Sequence, residues 1–352
     1  MSGESALIAI DVQGCFLPGG SLPTGNARNA NHGGPDMLGK KIAESITEIQ
    51  PTHLFITKDW HTEGHSSFIT NAQRHQSPAR QTFPEAATNA NGPFSKNTGV
   101  NQYRYSARNF VSKRYWGKDA ERKDQKLWPE HCVQGSDGAN VVPSLLDNLP
   151  SSLTPITILK GDTPDIDSYS IIADALGDFT PHDEEGNSFI SILTESAITT
   201  VYVTGIARDV CVFWSAMDLL NYWILPAYAT KKIKLVFMYD LTRPVYSGGS
   251  PYTDITPSQL KENVMTLIAS MKDAGKLVTE DDDATVYSNV FEIRRTESYR
   301  NASPSASSGG GKGSKGSKSK GKKTRRAHTK ARRGSRKANP CKCHTKRCSC
   351  KT

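Results

Sequence analysis

The sequence predicts an α/β protein with three layers, α/β/α, around a mainly parallel sheet, followed by a disordered basic tail. Short continuous apolar runs alternate with longer helical stretches through residues 1–300, which is typical of a parallel sheet. These runs do not alternate with polar residues, as expected for strands that helices cover on both faces. Residues 301–352 contain almost nothing apolar, so they lack the material for a core.

Each predicted strand is a short run rich in aliphatic and β-branched residues, at about 6–11 (ALIAID), 53–57 (HLFIT), 155–160 (PITILK), 200–204 (TVYVT) and 233–238 (IKLVFM). Helices are predicted between them, near 36–49, 187–197, 211–224 and 257–273. Residues 69–127 are polar and then basic, so we expect an insertion or cap there. The predicted domain boundaries are therefore 1–300 for the folded domain and 301–352 for the tail.

The formal charge is divided unevenly between these two parts. Of 44 Lys and Arg residues, 17 fall in 301–352, whereas all 35 acidic residues lie in 1–300. Residues 1–300 therefore carry 27 basic and 35 acidic side chains, a net charge of −8. Such a tail could bind nucleic acid without sequence preference, act as a nuclear-targeting signal or serve only as a solubilising segment.

The end of the tail holds a dense group of soft ligand side chains: Cys341, Cys343, His344, Cys348 and Cys350. A cluster of this kind fits zinc or copper(I). Free thiols, or an adventitious oxidised knot, are the alternatives.

Several classes of protein are not expected. The chain has no run of about 20 apolar residues and no basic, apolar leader, so we expect neither a membrane span nor a secretory signal. Cys15, Cys132 and Cys211 are widely spaced in residues 1–300, which predicts no disulfide framework and favours a reducing compartment. The expected location is cytoplasmic, with a nuclear location through the basic tail as the alternative.

Reactive side chains follow four of the predicted strands. Asp11 ends the first, Lys160 ends the third, and Cys211 follows the fourth at the start of a helix. Ligands in open α/β sheets bind at the carboxyl ends of strands. A helix N-terminus favours a thiolate, so Cys211 is the candidate nucleophile, with Asp11 to take its proton and Lys160 to stabilise charge. A buried inert Cys and an ordinary ion pair are the alternatives.

The second strand leads into Asp59-x-His61, which has the chemistry of a metal site. Residues two apart in an extended segment point the same way, so a carboxylate and an imidazole can converge on one ion. His131 and His65 are further candidate ligands. A solvated surface loop is the alternative for this motif.

The motifs IDVQGCF, KDWHTEGHSSF, WPEHCVQGSDGA, LKG…DSYS and GIARDVCV resemble those of nicotinamidases, in the isochorismatase-like cysteine hydrolase superfamily. The resemblance runs from residue 6 to about 246, with 69–127 as the main departure. It implies the isochorismatase-like hydrolase fold and a triad of Asp11, Lys160 and Cys211. It also implies one divalent metal ion, zinc first and iron or manganese as alternatives, held by Asp59, His61 and His131. His65 is a ligand in only some members.

The resemblance assigns the remaining site residues as well. The Ile206–Ala207 peptide falls where the family has a non-proline cis bond, which implies an oxyanion hole made by the N–H groups of Ala207 and Cys211. Four residues match positions that wall the aromatic substrate, although core packing is the alternative for each: Phe16, Leu22, Trp128 and Tyr169.

The expected activity is hydrolysis of nicotinamide to nicotinate and ammonia, in NAD salvage, through a Cys thioester. In this family the metal is thought to position the substrate, and a homo-oligomer is expected. Two alternatives remain: a related amidase that acts on another small amide, and a nucleic-acid-binding protein that keeps a hydrolase-like scaffold.

Overall fold

The structure is a computed structural model. It describes residues 3–24, 35–68, 101–103, 125–164, 166–175, 177, 180–245 and 254–296. Most of the predicted insertion at 69–127 lies outside these ranges. So does the whole tail, including its cluster of Cys341, Cys343, His344, Cys348 and Cys350.

A six-stranded parallel sheet forms the centre of the described chain. Its strands are β1 (Glu4–Ile10), β2 (His53–Asp59), β5 (Pro155–Lys160), β6 (Ile198–Ile206), β7 (Lys234–Arg243) and β8 (Phe291–Arg294), in the spatial order β5-β2-β1-β6-β7-β8. Two short strands, β3 (Asn101–Tyr103) and β4 (Gln125–Leu127), pair antiparallel as a separate unit. The predicted parallel α/β architecture is confirmed.

The helices are α1 (Pro35–Ile49), α2 (Pro143–Leu146), α3 (Phe189–Glu195), α4 (Cys211–Leu219), α5 (Pro257–Asp273) and α6 (Asp283–Val290), and a π-helical turn, Leu220–Ile224, continues α4. The apolar face of α5 shows why such a segment is a helix: Leu260, Val264 and Ile268 recur at helical spacing and are buried. A capping box of Thr256 and Gln259 begins that helix.

The central strand β1 shows that both faces of the sheet are covered. Its residues Ala6 to Ile10 are all fully buried. Successive side chains of a strand point to opposite faces, so five buried residues in a row require packing on each side. None of the helices in the described ranges has an apolar stretch long enough to cross a membrane.

Two features of the fold differ from the sequence prediction. The last described segment adds α6 and β8, which were not predicted, because FEIR is short and alternates apolar with charged residues, as edge strands do. The sequence predicts no disulfide framework, but Cys15 and Cys132 are joined by a disulfide, with their Cα atoms 5.5 Å apart. Their separation of 117 residues hid this pairing, since the fold brings the loop after β1 beside the loop before α2.

Candidate active site

The carboxyl ends of four strands meet at one edge of the sheet. From β1 the chain passes to β2 and β5 on one side and then to β6 on the other, so the strand order reverses beside β1. A crevice forms at such a switch point in doubly wound sheets. Asp11 follows β1 here, Asp59 and Lys160 end β2 and β5, and Cys211 begins the helix after β6.

The structure brings Asp11, Lys160 and Cys211 together in a buried cluster. The Lys160 ammonium lies 2.8 Å from Asp11 Oδ2 and 3.6 Å from the Cys211 sulfur. Lys160 is 1% exposed and Asp11 is fully buried, so this ion pair is shielded from solvent. The Thr57 hydroxyl donates to Asp11 Oδ1 at 2.6 Å and fixes the other carboxylate oxygen.

Burial sets the protonation of this cluster. It raises the pKa of the Cys211 thiol well above its ordinary value, although the nearby Lys160 ammonium opposes the effect; the Asp11 and Asp59 carboxylates add to it. Burial also raises the pKa of Asp11, although Lys160 opposes it. Burial disfavours the Lys160 ammonium, yet Asp11 and Asp59 hold its pKa well above normal. Burial therefore favours the thiol form of Cys211 over the thiolate, and it opposes the effect of the helix N-terminus.

A second buried group, Asp59, His61 and His131, lies beside this cluster. Asp59 Oδ2 is 3.1 Å from His61 Nε2 and 3.2 Å from His131 Nε2. One donor atom from each residue lies within 4.8 Å of the others. Two imidazole nitrogens and a carboxylate oxygen form a typical donor set for a divalent transition metal.

The far side of each histidine ring is held by the backbone. Nδ1 of His61 donates to the Gly161 carbonyl at 2.8 Å, and Nδ1 of His131 donates to the Pro129 carbonyl at 2.8 Å. Bonds of this kind fix the tautomer, so each Nε2 carries the lone pair that a metal needs. The residues present therefore fit a metal ion.

Asp59 connects the two groups because it uses its two oxygens differently. Oδ2 faces the histidine pair, whereas Oδ1 accepts a hydrogen bond from Lys160 at 2.9 Å. Burial opposes ionisation of Asp59, but His61 and Lys160 outweigh it and hold its pKa well below normal. Asp59 is thus an anion shared between the two histidines and Lys160.

His65 is placed differently from the other candidate ligands. Its Nδ1 is 2.7 Å from the Ser67 hydroxyl, and its Nε2 contacts the carbonyls of Thr163 and Ile166 at 3.0 and 3.2 Å. Burial holds its pKa well below normal, with His61 adding to the effect. Both ring nitrogens are therefore engaged within the protein, although the ring lies beside His61.

The sequence prediction missed one acidic residue, Asp167. It is buried, and its carboxylate lies within 4.8 Å of donor atoms of His61 and His65. Burial raises its pKa. Asp167 lies seven residues after Lys160, and that position is the feature of the sequence that could have indicated it. The segment GDTPDID contains two other aspartates, however, and their spacing alone does not distinguish Asp167 from them.

The nucleophile follows a turn in which the backbone makes close approaches. The Ile206–Ala207 peptide is cis, and Gly205 has a φ of +111°, where a Cβ would collide with the Ile10 backbone. The Ala207 carbonyl accepts from the N–H groups of Val210 and Val212, both at 3.0 Å. Among the described residues, neither Ala207 N–H nor Cys211 N–H has an acceptor, which leaves both available to a ligand.

Aromatic side chains line the approach to the two clusters. The rings of Phe16 and His131 have centroids 5.4 Å apart, and the Trp128 indole N–H donates to the Tyr169 hydroxyl at 3.0 Å. Leu22 is held in the same loop as Phe16 by its backbone bond to the Cys15 carbonyl, at 2.9 Å. All four predicted wall residues are buried.

No protein-family model matches the chain. The nicotinamidase of Acinetobacter baylyi is 32% identical over 219 residues, which are 62% of this chain and 75% of that protein. The Escherichia coli nicotinamidase is 25% identical over 218 residues, 61% of this chain and 76% of that protein. Among solved structures, the yeast nicotinamidase bound to the inhibitor nicotinaldehyde is 19% identical, covers 79% of this chain and 100% of its own, and gives a TM-score of 0.48.

The parallel α/β sheet gathers Cys211, Asp11 and Lys160 at its carboxyl edge, as the resemblance to the isochorismatase-like superfamily implied. Within that superfamily, the sequence likeness to curated relatives is to nicotinamidases. The chain belongs to the nicotinamidase family.

Proposed function

We propose that this protein hydrolyses nicotinamide to nicotinate and ammonia. The observation that carries the proposal is the contact between a buried Cys–Asp–Lys cluster and a buried His–His–Asp donor set through one shared carboxylate, Asp59. A nucleophile alone would suit many amides. The adjoining donor set favours an amide whose ring carries a metal-binding nitrogen.

The first half of the reaction begins from the neutral thiol. Asp11 takes the proton of Cys211, and the thiolate sulfur bonds to the carboxamide carbon. The carbonyl oxygen becomes an oxyanion, for which the N–H groups of Ala207 and Cys211 are the donors. Asp11 then returns its proton to the nitrogen as the C–N bond breaks, so ammonia leaves and a thioester remains.

The second half uses the same carboxylate. Asp11 removes a proton from water, whose oxygen bonds to the thioester carbon; as the C–S bond breaks, Asp11 returns that proton to the Cys211 sulfur, and the acid released ionises to nicotinate. Lys160 remains charged throughout, because its pKa is held well above normal by Asp11 and Asp59 despite burial. Its charge keeps a deeply buried Asp11 competent as a base.

Asp59, His61 and His131 are the residues that we propose hold a divalent metal ion, with zinc expected from this donor set and iron or manganese as alternatives. The ion would bind the ring nitrogen of the substrate and so position the carboxamide. His65 is not included, because both its ring nitrogens are hydrogen-bonded within the protein. The wall for the aromatic ring is proposed to comprise four side chains: Phe16, Leu22, Trp128 and Tyr169.

Ammonia release from nicotinamide by the purified protein tests this function. We expect turnover that falls on treatment with a chelator, and turnover of benzamide far below that of nicotinamide, because benzamide lacks the ring nitrogen. Cys211→Ala should abolish turnover and leave the melting temperature close to that of the wild type. Retention of more than a few per cent of activity by that variant would exclude the thioester mechanism.

A second proposal concerns residues 301–352, which we propose bind nucleic acid without sequence preference. The separation of charge supports it, because 17 basic residues and no acid lie in this segment. The absence of an aromatic residue there removes stacking as a source of specificity.

Gel shifts over a salt series, on full-length protein and on a variant ending at residue 302, test this second proposal. Full-length protein should lose affinity steeply as salt rises, because phosphate contacts release counterions. The truncated variant, with a net charge near −8, should not bind. Nicotinamide is neutral, so kcat/KM should be unchanged by truncation. Binding by the truncated variant would assign nucleic-acid contact to residues 1–300 instead.

A further inference from the structure

Arg208 lies between the two candidate oxyanion donors, and its side chain is almost entirely buried. The guanidinium makes a two-pronged contact with Asp254: Nε donates to Oδ1 at 2.9 Å and Nη2 donates to Oδ2 at 2.6 Å. A planar fork of this kind fixes direction as well as distance. The guanidinium also stacks over the ring of Tyr239, with its carbon 4.1 Å from the ring centroid.

The third nitrogen of the Arg208 guanidinium, Nη1, contacts a part of the sheet in which the strand register shifts. The pairing of β6 with β7 shifts between Val203, opposite Phe237, and Gly205, opposite Thr242. The Tyr239 carbonyl lies in the skipped stretch of β7, and Arg208 Nη1 donates to it at 3.0 Å. The side chain therefore satisfies a backbone acceptor that the shifted register leaves outside the ladder.

Three anchors hold the loop between β6 and α4 against neighbouring segments. The first is the Arg208 backbone N–H, which donates to the Arg243 carbonyl at 2.8 Å. The second is the Asp209 carboxylate, which accepts from the Val245 N–H at 2.8 Å. The third is the guanidinium itself. The loop has no helix or strand of its own, and these contacts hold its backbone on the C-terminal side of Ala207.

We propose that Arg208, clamped by Asp254, is a positioning residue for the oxyanion hole. It acts through the backbone of Ala207 and does not touch the substrate. The inference rests on the proposed amide hydrolysis, and it concerns the step at which the carbonyl oxygen becomes charged. Loss of the clamp should therefore weaken binding of the tetrahedral state and leave ground-state binding nearly intact.

Steady-state kinetics with Arg208→Met, Arg208→Lys and Asp254→Asn test the clamp. Arg208→Met should lower kcat for nicotinamide by about 10- to 100-fold, in the range of a misaligned oxyanion donor, with KM within about threefold. Arg208→Lys should recover little of the loss, because an ammonium cannot make the fork. Asp254→Asn should be intermediate, since one oxygen acceptor remains.

Two inhibitors separate positioning from mere stability. Nicotinaldehyde forms a hemithioacetal with a cysteine, whose oxygen occupies the oxyanion position, whereas nicotinate has no tetrahedral centre. In Arg208→Met, affinity for nicotinaldehyde should fall by the same factor as kcat, and affinity for nicotinate should be unchanged. Lys272→Met is the matched control, because it breaks an ion pair of the same 2.6 Å length, to Asp283, outside the site. It should lower the melting temperature without changing kcat.

Unchanged kcat and nicotinaldehyde affinity in a folded Arg208→Met variant would overturn the inference and leave Arg208 a structural residue. Equal loss of affinity for both inhibitors would overturn it too, because it would indicate a collapsed pocket. If the wild type prefers another amide, the substrate assignment fails, and the same kcat comparison with that amide decides the role of Arg208. If the wild type hydrolyses no amide, both proposals are wrong.

Discussion

Replacing Thr57 with valine should change both the stability and the pH dependence of the enzyme. The Thr57 hydroxyl donates to Asp11 Oδ1 at 2.6 Å and accepts from the Asp11 backbone N–H at 3.0 Å. Asp11 has a φ of +50°, in the left-handed region, which aspartate adopts more readily than most other residues with a side chain. Valine has nearly the shape of threonine and removes only the hydroxyl.

The expected loss of stability in Thr57→Val depends on the charge of Asp11. A hydrogen bond to a charged group contributes about 1.5–3 kcal/mol to the free energy of unfolding. Leaving the Asp11 N–H buried without a partner adds a second, separate cost. Burial already raises the pKa of Asp11, and the Thr57 bond is one of the contacts that lower it. Its loss should raise the pKa of Asp11 further, because the ionised carboxylate loses a hydrogen-bond donor.

The sign of the pH dependence is fixed by which form the hydroxyl stabilises. Thr57 stabilises the ionised carboxylate, so the variant loses stability mainly above the pKa of Asp11, and the difference from wild type shrinks as pH falls through it. The acid limb of kcat/KM should move to higher pH, because the base form of Asp11 is required. Urea unfolding at several pH values and a pH–rate profile measure the two effects.

Thr57→Ser is the matched control, because it keeps the hydroxyl and loses only a methyl group. It should retain the wild-type acid limb. If Thr57→Val and Thr57→Ser have the same acid limb, then Asp11 is not the base whose ionisation limits the rate, and the proposed proton transfers are wrong.

Two further predictions concern the metal donors and the disulfide. His131→Ala should lower bound metal in elemental analysis by at least about tenfold and raise KM more than it lowers kcat, whereas His182→Gln, which changes a half-buried histidine outside the donor set, should do neither. Unfolded, unreduced protein ending at residue 302 should show one titratable thiol, because Cys15 and Cys132 are paired. Reduction should lower its free energy of unfolding by about 5 kcal/mol in the chain-entropy estimate for 117 residues. Three titratable thiols would show that the bridge does not form.

The residues of the candidate site could be grouped from the sequence because the geometry of a parallel sheet determines where they meet. A parallel sheet places the carboxyl ends of its strands at one edge, so Asp11, Asp59, Lys160 and Cys211 were grouped once the apolar runs were read as strands. The helix that begins at Cys211 followed from its apolar composition. These are local patterns, and the geometry of the sheet supplies the rest.

Contacts between distant segments did not follow from the sequence. The Arg208–Asp254 clamp joins residues 46 apart, and the bond between Thr57 and Asp11 spans another 46. Neither contact has a local signature in the sequence. The contact between Arg208 and Asp254 depends on the register of β6 and β7, and the contact between Thr57 and Asp11 depends on the register of β1 and β2. The effect of burial on the pKa of the Cys211 thiol could not be derived from the sequence for a similar reason, since the burial arises from the whole fold.

The shared carboxylate of Asp59 makes the metal donors and the catalytic cluster one electrostatic unit. Two buried carboxylates, Asp11 and Asp59, contact a single ammonium, that of Lys160. The group therefore has an excess negative charge, and burying that charge is unfavourable unless a further cation lies near Asp59. Without a metal ion, the proton on His61 is favoured for this reason: burial lowers the pKa of His61, yet the Asp59 carboxylate raises it overall. A metal ion supplies the cation without the proton. Removing the metal should therefore change the charge that Asp11 experiences through Lys160, and substitutions in the two groups should not combine additively in kcat/KM.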